Sequence, residues 1–413
     1  MLLAAALMAQ GAMAEQVTSF GAPQPAQVEE PAPAEEPAEA VEPGTEAAAP
    51  AEGGADALAG SELYDFTCLV DGETYAFPMT VDEFKAKGWT LEETEDLAPR
   101  QYAMVTAEKK NGFSADKATA YVINFDINTL PMEECVVAGL EIEAFYVEPG
   151  KGLDTVLPGG ITRGVSTLDD IYAAYGDATD VYEGDYYTSV TYEMDYDKRV
   201  ELKVGTESGV LEDVEIRNFV VPEGFVTGEA NDEVPEAVAA YARPEALGDD
   251  LTSFTVDFDG ALYVLPVPVS VLVEDGWTID EAETDPVISA QDYGWVTLRK
   301  DNNKSISTIV NNFADYATNP SNCWVTSLTG GGYSGEGITM ALPCGIELGM
   351  DSGEFVEVLD GLGYEYEVEE GDDYSYYTLY DENYNGYDFY TSSAENEYYA
   401  PSTLYEIDMQ CRP

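Results

Sequence analysis

The chain has 413 residues, 81 of them acidic and 17 basic, no histidine, and a formal net charge of −64 at pH 7. Without histidine there is no His general base, no Ser-His-Asp or Cys-His triad and no His-ligated metal centre. The charge argues against nucleic acid and anionic membrane as partners, since both need basic protein surface.

Residues 1–14, MLLAAALMAQGAMA, form an apolar run ending in a small-x-small sequence, Ala12-Met13-Ala14. That is the pattern of a secretory signal peptide cut before Glu15, so the protein is expected to be secreted or extracellular, either free or held at the cell surface. The usual basic n-region is missing, which fits a true start upstream of Met1. No later stretch is apolar enough to span a membrane. Residues 15–60 are mostly Ala, Pro and Glu, with ten acids and no Lys or Arg. Such a segment cannot offset its ordering entropy and reads as an extended acidic tether.

Two tandem homologous units follow, 61–219 and 249–413, joined by a linker over 220–248 that carries one short helix after Pro235. Gly72, Tyr75, Pro78, Val81, Gly88, Trp89 and Thr90 recur 188 residues later as Gly260, Tyr263, Pro266, Val269, Gly276, Trp277 and Thr278. Asn124-Phe125 and Cys135 recur at the same offset as Asn312-Phe313 and Cys323, and 157–176 matches 342–361 at an offset of 185.

Each unit opens with a hairpin turning at Asp71-Gly72 or Asp259-Gly260. A short helix comes next, started in the first unit by the capping pair Thr80 and Glu83 and ended by Gly88. Strands are expected at 102–108, 119–126 and 135–142, and at 294–299, 305–312 and 322–328. A second helix is capped by Ser166 and Asp169, or by Asp351 and Glu354, and ends at Gly176 or Gly361. A period-two meander then alternates Val190, Tyr192 and Met194 with Thr191, Glu193 and Asp195. The fold class is α+β: antiparallel sheets with short helices packed on one side. Trp89 and Trp277 read as core residues, and Trp295 as a weaker core candidate.

A capped helix, a glycine stop and an aromatic-rich antiparallel meander, at 157–219 and 342–411, resemble the modules of secreted β-lactamase-inhibitor proteins and small outer-membrane assembly lipoproteins. The resemblance implies protein–protein binding through a sheet face. The layout of signal, acidic linker and repeats resembles secreted repeat proteins of Gram-positive gut bacteria, which implies no function.

Five cysteines lie at 68, 135, 323, 344 and 411, none in a CxxC pair. In a secreted chain structural disulfides are expected, with Cys68–Cys135 and Cys344–Cys411 paired and Cys323 free. Residues 305–411 hold twenty acids and no Lys or Arg. Within them Asp381, Asn383 and Asn385 match the first half of a calcium loop, but position twelve is Ser392, and Asn385-Gly386 reads instead as a hairpin turn. No other cofactor is expected.

Tyrosines crowd the same stretch: Tyr374, Tyr376, Tyr377, Tyr380, Tyr384, Tyr387, Tyr390, Tyr398 and Tyr399. Rigid aromatic surface suits recognition, and the binding-face candidates are Tyr374, Tyr376, Tyr377, Tyr380 and Tyr387. Tyr is also a good strand former on a half-buried sheet. The expected role is non-enzymatic binding of a protein or a surface glycan, made bivalent by the duplication. The alternatives are a glycoside hydrolase working through two carboxylates and a structural envelope component.

Overall fold

A computed structural model of the chain describes residues 58–111, 114–143, 152–301, 304–392 and 400–412. Residues 1–57, where the signal peptide and most of the acidic tether are expected, lie outside these residues, as do Tyr398 and Tyr399. The described part is a mixed α+β fold of antiparallel sheets and short helices.

Local chemistry explains the recurring pieces. The strands Thr67–Val70 and Glu73–Ala76 meet at Asp71-Gly72, and Thr255–Phe258 and Ala261–Val264 meet at Asp259-Gly260. Both residues of each turn have positive φ (51° and 78°; 53° and 83°), the two-residue turn that matches the twist of a hairpin and that Asp-Gly favours. The helix Val81–Ala86 starts at Thr80, whose hydroxyl accepts from the Glu83 amide (3.1 Å) while the Glu83 carboxylate accepts from the Thr80 amide (2.9 Å). Its counterpart Val269–Glu274 has Pro268 at that position and no side-chain cap; buried Val269, Val271 and Leu272 hold it instead.

Trp89 stacks on Phe84 with ring centroids 5.2 Å apart and donates its indole N–H to the Tyr75 hydroxyl (2.8 Å). Trp277 stacks on Phe258 at 5.9 Å. A lysine lies over each indole, Lys109 at 5.7 Å and Lys300 at 5.4 Å. Trp295, by contrast, is 52% exposed and is not a core residue: it faces outward from the strand Tyr293–Lys300, whose Val296 and Leu298 are buried.

The second helices deviate from expectation by one or two residues, each for a visible reason. Leu168–Tyr175 is capped by Thr167 with Asp170, not by Ser166 with Asp169, because the Ser166 hydroxyl already accepts from the Thr162 amide (2.9 Å). Ser352–Leu362 is capped by Asp351 as expected but runs past Gly361. It ends at Gly363, which supplies the left-handed φ of 74° that closes a helix.

The sheets differ between the two halves. In the first, one sheet runs through Trp89–Leu91, Tyr102–Asn111, Ser114–Ile123, Val136–Ile142, Leu211–Asn218, Lys198–Gly205, Tyr187–Asp195 and Asp180–Glu183, with Met79–Thr80 also on Val136–Ile142. In the second, the same order is cut in two. Trp324–Val325 lies between Val267–Pro268 and Lys304–Asn311 in one sheet, and Ser327–Gly331 opens the next. The break falls at buried Thr326, whose hydroxyl accepts from Asn311 (2.9 Å) and whose carbonyl accepts from the Cys411 amide (2.8 Å).

Two large apolar cores result, one drawn from residues 63–216 and one from 251–409. Between them the loops after Asn124 and Asn312 meet through polar groups. The Thr129 amide donates to the Asp315 carbonyl (3.1 Å), Ala317 to Asn128 Oδ1 (2.8 Å), and Ala290 to the Ile127 carbonyl (2.8 Å).

The disulfide expectation is corrected: Cys68, Cys135, Cys323, Cys344 and Cys411 are all free thiols. Cys68, Cys135 and Cys323 are buried and serve as small apolar core residues. Cys135 and Cys323 turn their thiols back on the preceding turn, toward the carbonyls of Pro131 (3.5 Å) and Asn319 (3.6 Å). Burial pushes each of the three thiols up to about 12, so none is a ready thiolate.

Candidate functional site: a tyrosine and carboxylate sheet face

The sheet Ser327–Gly331, Leu404–Gln410, Gly386–Ser392, Tyr374–Tyr380, Glu367–Glu370 separates the predicted tyrosines by parity. One face belongs to the core. There the helix Ser352–Leu362 sets Phe355 against Tyr377 (5.3 Å between centroids) and Phe389 (5.0 Å). Tyr387 is 2% exposed on this side and donates its hydroxyl to the Leu251 carbonyl (2.6 Å). Tyr377 and Tyr387 are therefore removed from the binding-face candidates, because both side chains are spent on packing.

The other face carries the candidates Tyr374, Tyr376 and Tyr380, together with Tyr390. Tyr376 pairs with Tyr390 across the ladder and stacks on it at 4.7 Å. Three carboxylates share this face: Asp388, opposite Asp408, and Glu406, opposite Tyr390. Tyr380 donates its hydroxyl to Asp388 Oδ2 (2.8 Å), while buried Asp388 Oδ1 has no hydrogen-bond partner. Exposed Glu367 and Glu369 border it on the outer strand. The carboxylates were not singled out beforehand because acids are everywhere in this chain. The alternation Glu406-Ile407-Asp408-Met409 does place them on one side, opposite the buried Ile407 and Met409.

Burial, with Asp408 adding to it, raises the Glu406 carboxyl to about 7. Burial also raises Asp408, partly offset by a hydrogen bond from Thr329. A carboxyl raised in the folded state stabilises the fold while protonated, and that contribution is lost as pH rises from the unfolded value, about 4.3, through about 7. Glu406→Gln is therefore expected to stabilise the protein at pH 8 by about 1 kcal/mol, after allowing for solvent screening, and to change little at pH 4. Thermal melts of both forms at the two pH values check this.

The first half presents the same ladder with different chemistry. Strand order and register place Glu201, Glu215 and Asp213 where the second half has Asp388, Asp408 and Glu406. There the acids have internal cations. Arg199 grips Glu215 (3.0 Å) and reaches Glu201 (3.6 Å), and Lys203 lies 3.8 Å from Glu141 and 3.9 Å from Glu201. The ladder positions of Arg199, Lys203 and Arg217 hold Gly386, Tyr390 and Gln410 in the second half, and Ser189 and Glu193 give way to Tyr376 and Tyr380.

Asp381, Asn383 and Asn385 form a stitched hairpin turn. Asp381 Oδ1 accepts from the amides of Asn383 and Asn385 (2.8 Å each), and Asn385 Oδ1 accepts from the Arg412 amide (2.7 Å). The backbone donation from Asn385 is the main reason the Asp381 carboxyl lies below its usual range. Among the described residues no group of three or more acidic or cysteine side chains is placed to hold a metal ion. Asp381→Ala is expected to speed hydrogen exchange at the Asn383 and Asn385 amides, to the same extent with calcium or a chelator present. Among the described residues no helix is long and apolar enough to cross a membrane.

Comparison with protein-family models, curated proteins and solved structures returns no match to this chain.

Proposed function

We propose that this is an exported, non-enzymatic recognition protein, made of two duplicated α+β units (61–219 and 249–413) on an acidic tether, that binds a protein through the open sheet face of its second unit. The observation that carries the reading is the row Tyr374, Tyr376, Tyr380 and Tyr390 over Asp388, Asp408 and Glu406. Rigid aromatic side chains lose little entropy on binding, and tyrosine offers both an apolar ring and a polar tip. The resemblance to inhibitor-like modules, which bind through a sheet face, points the same way. The shared offset of 188 and the shared strand order support duplication. The equivalent face of the first unit is internally ion-paired, so the reading assigns one binding face and not two.

The test is a cross-linking pull-down with residues 15–413 as bait and envelope fractions and spent medium of the producing organism as prey. The expected result is one saturable protein partner, lost with Tyr376→Ser/Tyr390→Ser. Retention on wall polysaccharide alone contradicts it.

A second reading, a carboxylate-dependent glycoside hydrolase, draws on one observation: Glu406, raised to about 7, stands beside Asp408 on a tyrosine-lined face. Turnover of a glycan panel that disappears with Glu406→Gln is the outcome that supports it.

A further inference from the structure

We infer that the open face of the second unit takes an arginine or lysine side chain from a basic segment of its partner, seated against the Tyr376–Tyr390 pair and hydrogen-bonded to Asp388, with Asp408 and Glu406 alongside. This rests on the recognition reading above and adds the chemistry of the occupant.

The first unit shows what this ladder holds when it is complete. Glu201 and Glu215 are paired with Arg199 and Lys203, Asp213 lies opposite Lys203, Arg199 is bidentate on Glu215, and Arg217 stands opposite Arg199 on the same face. Of the five acidic positions on that face (Glu141, Glu193, Glu201, Asp213 and Glu215) the second unit keeps a carboxylate at three, with Thr329 and Tyr380 at the other two, and it keeps a cation at none of the three basic ones. No Lys or Arg occurs between 305 and 411, and exposed Arg412, which follows the last strand with its amide on Asn385, makes no ion pair with these carboxylates. Carboxylates withdrawn from water without a cation are costly, and an incoming guanidinium or ammonium relieves that cost.

Two further features define the occupant. Asp388 Oδ1 is buried with no donor at hydrogen-bond distance while Oδ2 accepts from Tyr380; the Tyr376 hydroxyl also interacts with this carboxyl, so an N–H from outside reaches Oδ1 as the Tyr376 ring shifts to receive the cation. Of the five exchanges named on this face, three bring in tyrosine: Tyr376 for Ser189, Tyr380 for Glu193 and Tyr390 for Lys203; Arg199 and Arg217 give way to Gly386 and Gln410. Tyrosine rings attract a cation at their faces, and arginine does so most often. A neutral apolar partner would leave the acceptor unmade and the carboxylates unpaired.

A chain with a net charge of −64 attracts any polycation, so the test must separate the face from the bulk charge. The probe is a short arginine-containing peptide with a fluorescent label, titrated into the full chain at physiological salt. Its counterpart has citrulline in place of arginine, which keeps the shape and removes the charge. Saturable binding of the arginine peptide is expected, with the citrulline form weaker by about tenfold or more. Asp388→Asn/Asp408→Asn is expected to weaken the arginine peptide about tenfold, while Glu93→Gln/Glu95→Gln, the same charge change at exposed positions of the first unit, costs less than about twofold. Near-UV circular dichroism of each variant checks folding. Tyr390→Lys restores the internal cation of the first unit and is expected to abolish binding without unfolding the sheet. Equal losses from the two double variants, or equal binding of the two peptides, would overturn the inference. If the cross-linked partner is lost with Tyr376→Ser/Tyr390→Ser yet kept with Asp388→Asn/Asp408→Asn, recognition by the face stands and its cationic occupant does not.

Discussion

Trp89→Ala is expected to split the thermal melt into two steps, with the first unit losing about 3–5 kcal/mol and the second melting as in the parent. Trp89 is 3% exposed, stacks on Phe84 and donates to the Tyr75 hydroxyl, so its removal opens a cavity and leaves that hydroxyl without its partner. The core it belongs to draws on residues 63–216 and on none from the 251–409 core. The contacts between the units are largely loop amides and carbonyls, which transmit less stability than a shared apolar core. Trp277→Ala should produce the mirror result. Differential scanning calorimetry reads both, and a single cooperative transition shifted by either variant would contradict two independently stabilised units.

Asp259→Asn is expected to cost the second unit about 3 kcal/mol or more at neutral pH. The Asp259 carboxylate is 5% exposed and holds Lys300 at 2.9 Å and Lys304 more closely still. Asparagine tolerates the φ of 53° at least as well as aspartate, so the turn is kept and only the charge is removed, leaving two lysines around a neutral group. Burial works to raise this carboxyl, but the hydrogen bonds and charges of Lys304 and Lys300 outweigh it and hold it below the usual range. A carboxyl lowered in the folded state stabilises above its unfolded pKa, about 3.9, and the contribution is lost as pH falls through the folded value. The gap between parent and Asn variant should therefore be full at neutral pH and close in acid. Urea melts across that range measure it.

Much of the fold was legible because its signals are local. Asp-Gly turns, the Thr80–Glu83 cap and the period-two alternation that buries Val190 and Tyr192 each follow from neighbouring residues and needed no tertiary information. The misses arose where two local solutions competed. Ser166-Thr167 precedes Asp169-Asp170, so the sequence offers two capping boxes, and the choice is made by Thr162, which claims Ser166. Gly361 and Gly363 compete in the same way for the helix end.

The candidate face was half legible. Period two separates Tyr374, Tyr376 and Tyr380 from Tyr377, but which set meets the core depends on the helix Ser352–Leu362 and its Phe355. Tyr387 fell on the core side because it pairs with Leu379, a matter of register between strands. The carboxylates became visible only when the ladder aligned them with the ion-paired acids of the first unit. The cysteines misled because their number suggested pairing, whereas Cys68, Cys135 and Cys323 are packed as core residues.

Tyr390→Lys tests the account most directly, measured as the affinity of the full chain for its cross-linked partner alongside the melting temperature of the variant. A lysine at this position occupies the place that Lys203 fills in the first unit, among the same set of acids. The account predicts that binding falls by at least about tenfold while the melting temperature holds or rises. A variant that binds as tightly as the parent would contradict it.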